Sequence, residues 1–438
     1  DLPAVAGPFQ NVPASTGWLQ AENAATLRPR FSADVRLLAF PVPAGYDSIA
    51  GQASYTSSFG AVDTVSLTDD DDTTGLAFPA NGPKRAEGFK RADWIQLEFP
   101  DVVTVRSLTV SLNRSGARVR VRASADGVNW QPVQNFTVGA AQHFTASFAP
   151  VQAKFFRLAI KPPRPAGVPG WPTALPGADA SAVGDLIAEV AAARPGLVLT
   201  ELALREGASV HRFEAKAGFT IAGNYYDLDS PPVPEQYAID PEDVLDLTEK
   251  LATDGTLEWE APPGEWALLR LGYSLVGSLN HPASSVGTGL EVDKLNGTHV
   301  QAYLEDYFER YSKALGVTEP GIASGGDWGI RSIMADSTEA GLQNWTEDML
   351  AQFLRLRGYD PRPWLPALTG VVVRDGQASD RFLWDFRRTI AELIAAEHYA
   401  TLSRVSRSRG LTVYGEALEA HRFSLGDDLA MRRHTDVP

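Results

Sequence analysis

The spacing of apolar residues changes near residue 290, and this change limits the possible folds more than any other feature of the sequence. Ahead of it, apolar residues recur with a period of two, as in Ala117–Ala123, where arginines alternate with alanine and valine. Beyond it the period becomes 3.6, and one predicted helical face carries Val300, Tyr303, Leu304, Tyr307, Phe308, Tyr311 and Leu315. A period of two predicts half-buried strands, whereas 3.6 predicts amphipathic helices. The sequence therefore predicts a multidomain α+β protein, β-rich first and helical later.

The β-rich part divides into two modules. Short apolar runs separated by turn signals such as Asp126-Gly127 predict a β-sandwich over residues 37–162, preceded by an irregular lead-in over residues 1–36. A proline- and glycine-rich linker with a short helix over Ala180–Ala193 fills residues 163–196. A second β-rich module is predicted over residues 197–288.

Residues 289–438 are predicted to form part of a (β/α)8 TIM-like barrel. A buried strand at Ile330–Ala335 is followed by a helix over Trp345–Arg357, a long helix that begins at Asp380 and ends at Arg409, and a strand at Leu411–Tyr414. This order is typical of a parallel α/β fold. A barrel has eight such units and about three are present, so we expect the rest of the protein to lie outside this sequence.

Composition excludes several classes of function. The 438 residues carry a net charge of −15, which repels a phosphate backbone, so nucleic acid is not an expected partner. No apolar stretch is long enough to span a bilayer. The absence of cysteine excludes disulfides and thiol chemistry, and no serine-hydrolase or HExxH motif occurs. The ten tryptophans suit sugar rings, although most tryptophans in any protein belong to a core.

Two acidic pairs follow the two predicted strands. Asp336 and Glu339 come directly after the first strand, and Glu416 and Glu419 follow the second, with His421 close by. The carboxyl ends of barrel strands form the active-site face, so both pairs would meet there. Glycoside hydrolysis needs a protonated acid and a second carboxylate. The alternative is that these acids cap helices or are solvated at the surface.

Two further clusters carry charged side chains. Asp293 and Lys294 precede a predicted helix, where they could contact a substrate or form a surface ion pair. Four consecutive aspartates end at Asp72, and oxygen ligands from Asp70, Asp72 and Thr73 would suit a structural Ca²⁺ ion. A solvated charge run is the alternative explanation for the aspartates.

These residues stand in a sequence that resembles glycoside hydrolase family 106, the α-L-rhamnosidases. The resemblance rests on stretches spread along most of the chain, namely Leu38–Pro43, Phe213–Phe219, Gly289–Leu295, Ile333–Gly341 and Leu411–Glu419. Separately, residues 37–162 resemble a galactose-binding-like jelly roll of the discoidin type, chiefly through Ser124–Gly127 followed by Asn129-Trp130.

The family resemblance implies an inverting hydrolysis of terminal α-L-rhamnose, with Ca²⁺ in the sugar site. It implies that Asp336 and Glu339 are catalytic or bind substrate, with Glu339 as the general acid. Glu416 would then be a catalytic base, a sugar ligand or a calcium ligand, and Asp293 and Lys294 would contact sugar. Glu419 and His421 are further candidates for substrate binding.

The resemblance also implies a class of partner and a cellular location. The expected partner is a rhamnosylated glycoside or oligosaccharide, and the expected location is the periplasm or the extracellular medium of a bacterium, with the cytoplasm left open. Because family members are longer at both ends, the second catalytic carboxylate can lie outside this sequence. Two other functions stay open, a non-catalytic carbohydrate-binding protein and a hydrolase of another sugar on the same scaffold. The sequence predicts no oligomeric state.

Overall fold

The structure is a computed structural model that describes residues 31–69, 71–79, 92–139, 142–162, 196–221, 228–276, 290–316, 330–335, 342–417 and 425–437. Within these ranges the protein is a mixed α/β molecule with several sheets. None of the described helices combines the length and the apolar character needed to cross a membrane.

Strands precede most of the helices along the chain. The strands are β1 (Ser32–Pro41), β2 (Ser54–Ser57), β3 (Leu76–Ala77), β4 (Asp93–Leu112), β5 (Arg118–Ser124), β6 (Gln131–Thr137), β7 (His143–Lys161), β8 (Val198–Arg205), β9 (Leu245–Asp246), β10 (Trp266–Ser274), β11 (Ser332–Ala335) and β12 (Thr412–Gly415). The helices are α1 (Phe213–Lys216), α2 (Gly297–Leu315), α3 (Met349–Arg357), α4 (Gly376–Leu393), α5 (Ala400–Arg407) and α6 (Asp428–Arg432). One turn of π-helix, Ile394–Tyr399, joins α4 to α5 without a break.

An antiparallel sheet of seven strands forms around the two longest strands, β4 and β7; it occupies the module predicted as a β-sandwich, and we call it the sandwich. They pair along most of their length, and the register shifts between Glu98 and Val103. The first half of β4 has β2 as its other neighbour, and the second half has β8. The second half of β7 also pairs with β5, which pairs with β6. The two halves of β4 therefore have different outer neighbours within one sheet.

Alternation in the sequence decides which side chains fill this sandwich. In β5, Val119, Val121 and Ala123 are buried, whereas Arg118 and Arg122 point outward and are exposed. Buried residues from both halves of β4 and β7 join them in one apolar cluster. Burial of this apolar surface is the main stabilising contribution to the module.

Two strands lie in different sheets from those predicted. Leu37–Phe40 was assigned to the sandwich, but β1 pairs with β10 and β9 in a separate three-stranded sheet. Residues from 197 onward were assigned to the second module, but β8 pairs with β4 inside the sandwich. An apolar alternation identifies a strand and its buried face but does not specify its partner, which explains both errors.

A second apolar core lies under the helices. It combines Leu38 and Phe40 of β1 with Phe213 of α1, Phe353 of α3 and Phe382 of α4. Residues Arg362–Thr369 form a 3-10 helix that packs on α1 and α4. The second β-rich module and the helical part thus share one core.

The strands β11 and β12 pair in parallel, and α2 and α5 pack beside them. This confirms the predicted parallel α/β arrangement in the part of the chain that the structure describes. The prediction that the first of these strands is buried was wrong, because Met334 is 70% exposed. Its apolar sequence suggested a fully buried strand, but in the described residues this strand has one neighbouring strand, β12.

The predicted helices are present with shifted boundaries. The helix α2 ends at Gly316 in the left-handed conformation, as the sequence predicts, and buries Val300, Leu304 and Phe308. Tyr303, Tyr311 and Leu315 were expected on the buried face but are about half exposed. The long helix begins at Gly376, capped by Asp375, four residues before the predicted start. The predicted helix over Ala180–Ala193 lies outside the described residues.

Candidate active site

The carboxyl ends of β11 and β12 meet at one edge. Ala335 and Gly415 are register partners, and the backbone N–H of Glu416 donates to the carbonyl of Ala335 over 3.1 Å. The Glu416 side chain is exposed. The next residue, Ala417, is buried against Tyr399 and Met431. Glu416 therefore has a fixed backbone and a solvent-accessible carboxylate, which suits a group that meets a ligand.

Other predicted site residues fall outside the described part of the chain. These are Asp336, Glu339, Glu419 and His421, together with Asp70 of the aspartate run. In the sequence, Asp336 follows Ala335 and Glu416 follows Gly415. Ala335 and Gly415 are register partners in the parallel pair of strands.

Asp293 and Lys294 are both held by protein groups. One carboxylate oxygen of Asp293 accepts from the Thr346 hydroxyl over 2.7 Å, and the other accepts from the Leu295 N–H over 2.9 Å. Lys294 is buried, and its ammonium group is bonded to Glu291. These contacts shape the turn that leads into α2, so both residues are already partnered as structural groups.

The π-helical turn adds two polar side chains that the sequence analysis missed. Glu397 accepts a hydrogen bond from the Gly297 N–H, the first residue of α2, over 3.1 Å. A side chain at position 297 would place its Cβ atom 2.5 Å from this carboxylate, so the Glu397 side chain would have to shift and its bond to the Gly297 N–H would be disturbed. His398 is partly buried, and its Nδ1 atom is buried and has no hydrogen-bond partner among the described residues. Burial, with a smaller effect from the Lys294 charge, lowers the pKa of His398 to about 3, so the ring is neutral.

This turn connects the loops around the strand ends. Glu397 binds the start of α2, the Lys294 charge reaches His398, and Tyr399 packs against Ala417 just after β12. Turns of π-helix are rare and occur frequently at functional sites. The contacts connect the start of α2, the π-helical turn and the end of β12, where Glu416 has an exposed side chain. An exposed carboxylate at a strand end can accept hydrogen bonds from hydroxyl groups and take part in proton transfer.

The aspartate run forms its own turn. The Thr73 N–H and hydroxyl donate to Asp71 over 2.9 and 2.7 Å, which lowers the pKa of that carboxyl group. Asp72 lies 3.5 Å from His143 and accepts from Thr200 over 3.4 Å. Within the described ranges, no three acidic, histidine or cysteine residues are grouped as metal ligands. The predicted calcium site includes Asp70, which lies outside the described residues, and it stays a prediction.

Sequence reasoning could not find Glu397, His398 or Thr346. The two helical residues lie within a long amphipathic pattern, and nothing in that pattern marks a π-helical turn. Thr346 reaches Asp293 across 53 residues, and such a contact has no local signal.

Comparison with known proteins bears on this site. The profile of the glycoside hydrolase 106 family, described as alpha-L-rhamnosidase, matches residues 1–438. The structure of a rhamnosidase from Novosphingobium sp. PP1Y is similar, with a TM-score of 0.76 and 40% sequence identity, over 93% of this chain and 35% of that protein. A Formosa agariphila protein named "Putative beta-glucuronidase" is 39% identical over 192 residues, which is 43% of this chain and 16% of that protein. The chain thus spans about a third of the length of the solved rhamnosidase.

Proposed function

The chain belongs to glycoside hydrolase family 106, the α-L-rhamnosidases, and on this basis we propose that it carries part of the active site of a hydrolase that releases terminal α-L-rhamnose. The proposed substrate is a rhamnosylated glycoside or oligosaccharide, met in the periplasm or outside the cell. The strands β11 and β12 would belong to a (β/α)8 barrel, and the sandwich would be a galactose-binding-like module.

The parallel pairing of β11 with β12 is the observation that carries this proposal. Ala335 and Gly415 are register partners, and Asp336 and Glu416 are the next residues along the chain. Ligands of parallel α/β folds bind beyond the carboxyl ends of the strands. This supports the proposal that the acids needed for glycoside cleavage come from the two stretches that follow these strands.

The proposed chemistry is an inverting acid–base reaction. Glu339 would protonate the leaving oxygen as the glycosidic bond breaks, while a second carboxylate takes a proton from the water that attacks the sugar. Inversion needs the two carboxyl groups about 6.5–9.5 Å apart, which leaves room for that water. Asp336 would assist Glu339, and Glu416 would serve as the base, as a sugar ligand or as a calcium ligand.

Other parts of the site would hold the sugar. Glu419 and His421 follow Glu416 in the sequence and are proposed to bind substrate. Asp293 and Lys294 would contribute mainly by fixing the turn before α2, because their polar atoms already have protein partners. Calcium is proposed from the family resemblance alone, and its binding would orient the sugar hydroxyl groups.

The test is release of rhamnose from an aryl α-L-rhamnoside by the full-length protein, with and without a calcium chelator. We expect Glu339→Gln and Glu416→Gln each to lower kcat at least about 100-fold, in the range typical of general acid–base groups. Glu309→Gln, at an exposed position of α2, is the matched control and should leave kcat unchanged. Full activity in Glu339→Gln would remove that residue as the acid.

A second candidate function is hydrolysis of another sugar, favoured by the similarity to the Formosa agariphila protein. A panel of aryl glycosides that includes a β-glucuronide separates the two functions. Cleavage of another glycoside but not the rhamnoside, sensitive to the same substitutions, would establish this second function. Binding of sugars without any cleavage would instead indicate a carbohydrate-binding protein.

A further inference from the structure

The outward face of the sandwich gathers positive charge in a strongly acidic chain. Arg118, Arg120 and Arg122 occupy successive outward positions of β5, and Arg157 and Lys161 lie opposite them on β7. Arg122 pairs in register with Arg157, and Arg118 with Lys161. We call this set of five residues the basic face. The net charge of the whole chain is −15, so the basic face is a local reversal of sign.

The Arg157 side chain is held in a fixed orientation. Its guanidinium lies 4.4 Å from the ring centre of Trp94 and 4.1 Å from that of Trp130. Its Nε and Nη2 atoms donate to the Gln96 side chain over 3.1 and 2.5 Å. The turn that carries Trp130 is ordered by Asp126, which accepts from the Val128 and Asn129 N–H groups. Arg157 is thereby pre-organised, with Nη1 as the terminal group that is not bonded to Gln96.

Two arginines at paired positions of neighbouring strands repel each other. Like charges directly opposite in a sheet are destabilising. Burial, and then the positive charge of Arg122, lower the pKa of Arg157. Among the described residues, no carboxylate lies within ion-pair distance of Arg122, which is exposed. A negatively charged ligand would relieve this repulsion.

A groove continues the basic face at one edge of the sandwich. It has a volume of about 370 Å³ and is lined by Gly116, Arg118, Thr137, Lys161 and Pro162. Arg118 is the register partner of both Thr137 and Lys161, so the groove follows directly from the row of arginines on β5. The positive row and the groove are therefore continuous on one face of the sandwich.

We propose that the basic face binds an acidic polysaccharide, with Arg122 and Arg157 contacting its carboxylate or sulfate groups. Guanidinium groups pair with such oxyanions through parallel hydrogen bonds. The indole rings of Trp94 and Trp130 add apolar surface for sugar rings beside the charges. The choice of a polysaccharide over other polyanions rests on the proposed glycoside hydrolase function. The binding itself involves none of the residues assigned to catalysis.

The test is affinity electrophoresis of the full chain in gels that contain polygalacturonate, dextran sulfate, neutral dextran or single-stranded DNA. We expect retardation in polygalacturonate, in dextran sulfate or in both, and none in neutral dextran. The polymer that retards the protein identifies the anionic group. Arg122→Gln should weaken this binding about 3- to 10-fold, because one charge in a cluster is lost, and added salt should weaken it further.

Matched variants separate binding from folding and catalysis. Arg355→Gln removes an exposed arginine from α3, away from the basic face, and should bind like the natural chain. Arg122→Gln should also cleave a small aryl rhamnoside normally, so a failure of the proposed hydrolase function would leave this test intact. The proposal is overturned if neither polyanion retards the protein, if Arg122→Gln binds unchanged, or if DNA binds as tightly as the polysaccharides.

Discussion

At the scale of single residues, the π-helical turn contains two adjacent polar side chains that differ in their hydrogen bonding. Glu397 accepts the first free N–H of α2, whereas the Nδ1 atom of His398 has no partner among the described residues. A buried polar atom without a hydrogen bond destabilises a protein by about 1–3 kcal/mol. Proteins retain such groups mainly where function requires them. Replacing Glu397 and replacing His398 should therefore change the free energy of unfolding by different amounts.

We expect His398→Leu to leave the free energy of unfolding within about 1 kcal/mol of the natural value, because no hydrogen bond is lost. Glu397→Ala should cost about 1–2 kcal/mol, because the Gly297 N–H at the start of α2 loses its acceptor. Urea denaturation of both variants provides the comparison. An equal loss in the two variants would show that Nδ1 is satisfied, for example by a bound water molecule.

Sequence patterns predicted only part of this geometry. The position of Glu416 directly after β12 was predicted from the apolar strand that precedes it, and its role in the site stays a prediction. The partners of Asp293 and Lys294 were not predicted, and the sequence left open whether these residues contact sugar or form a surface ion pair. Their structural bonds to Thr346 and Glu291 depend on how the loops fold back, which no local pattern encodes.

At the scale of elements, Asp380 has a partner far along the chain that its local sequence does not indicate. The sequence places it at the start of a helix, but Asp375 caps α4 through the Ala378 N–H. Asp380 instead accepts from the buried ammonium of Lys216 over 2.6 Å and thereby joins α4 to α1. Aspartate is favoured in both situations, so the sequence could not distinguish them. The helix itself was predicted, because its apolar period extends over many residues.

We expect Asp380→Asn to destabilise the protein by about 3–5 kcal/mol, because the buried Lys216 would lose the carboxylate bonded to its ammonium group and keep only the weaker effect of the Asp229 charge. The control is Asp360→Asn, which breaks the more exposed pair with Arg362 and should cost at most about 1 kcal/mol. Chemical denaturation at neutral pH measures both losses. Similar small losses in the two variants would mean that Lys216 becomes neutral or moves to water.

At the scale of the whole molecule, polar contacts join the sandwich to the second core. The Arg212 N–H donates to the Thr145 carbonyl of the sandwich, and the Val210 N–H donates to the Gly370 carbonyl beside the helices. The Ser147 N–H of the sandwich donates to Nδ1 of His211 over 3.1 Å. The general sequence of modules was predicted, but this junction was not, because it depends on β8 joining the sandwich.

The junction should weaken in acid because His211 must stay neutral to accept from Ser147. Burial, with smaller effects from Lys216 and Arg212, lowers the pKa of His211 to about 4. An unfolded histidine takes up a proton near pH 6.5, so the stability due to this group is complete above that pH and is lost as pH falls toward 4. At pH 5 the loss should be about 2 kcal/mol, since each pKa unit corresponds to about 1.36 kcal/mol.

His211→Asn isolates this effect, because an amide oxygen can accept the same hydrogen bond and does not titrate. We expect the stability difference between pH 7.5 and pH 5, measured by urea denaturation, to shrink by about 2 kcal/mol in this variant. The exposed His299→Asn serves as the control and should keep the natural pH dependence. Burial raises the pKa of the neighbouring Glu214, so its contribution to the stability of the fold is lost as pH rises. We expect this contribution to be the same in the natural protein and in the two variants. An unchanged pH dependence in His211→Asn would show that protonation of this histidine does not control the junction.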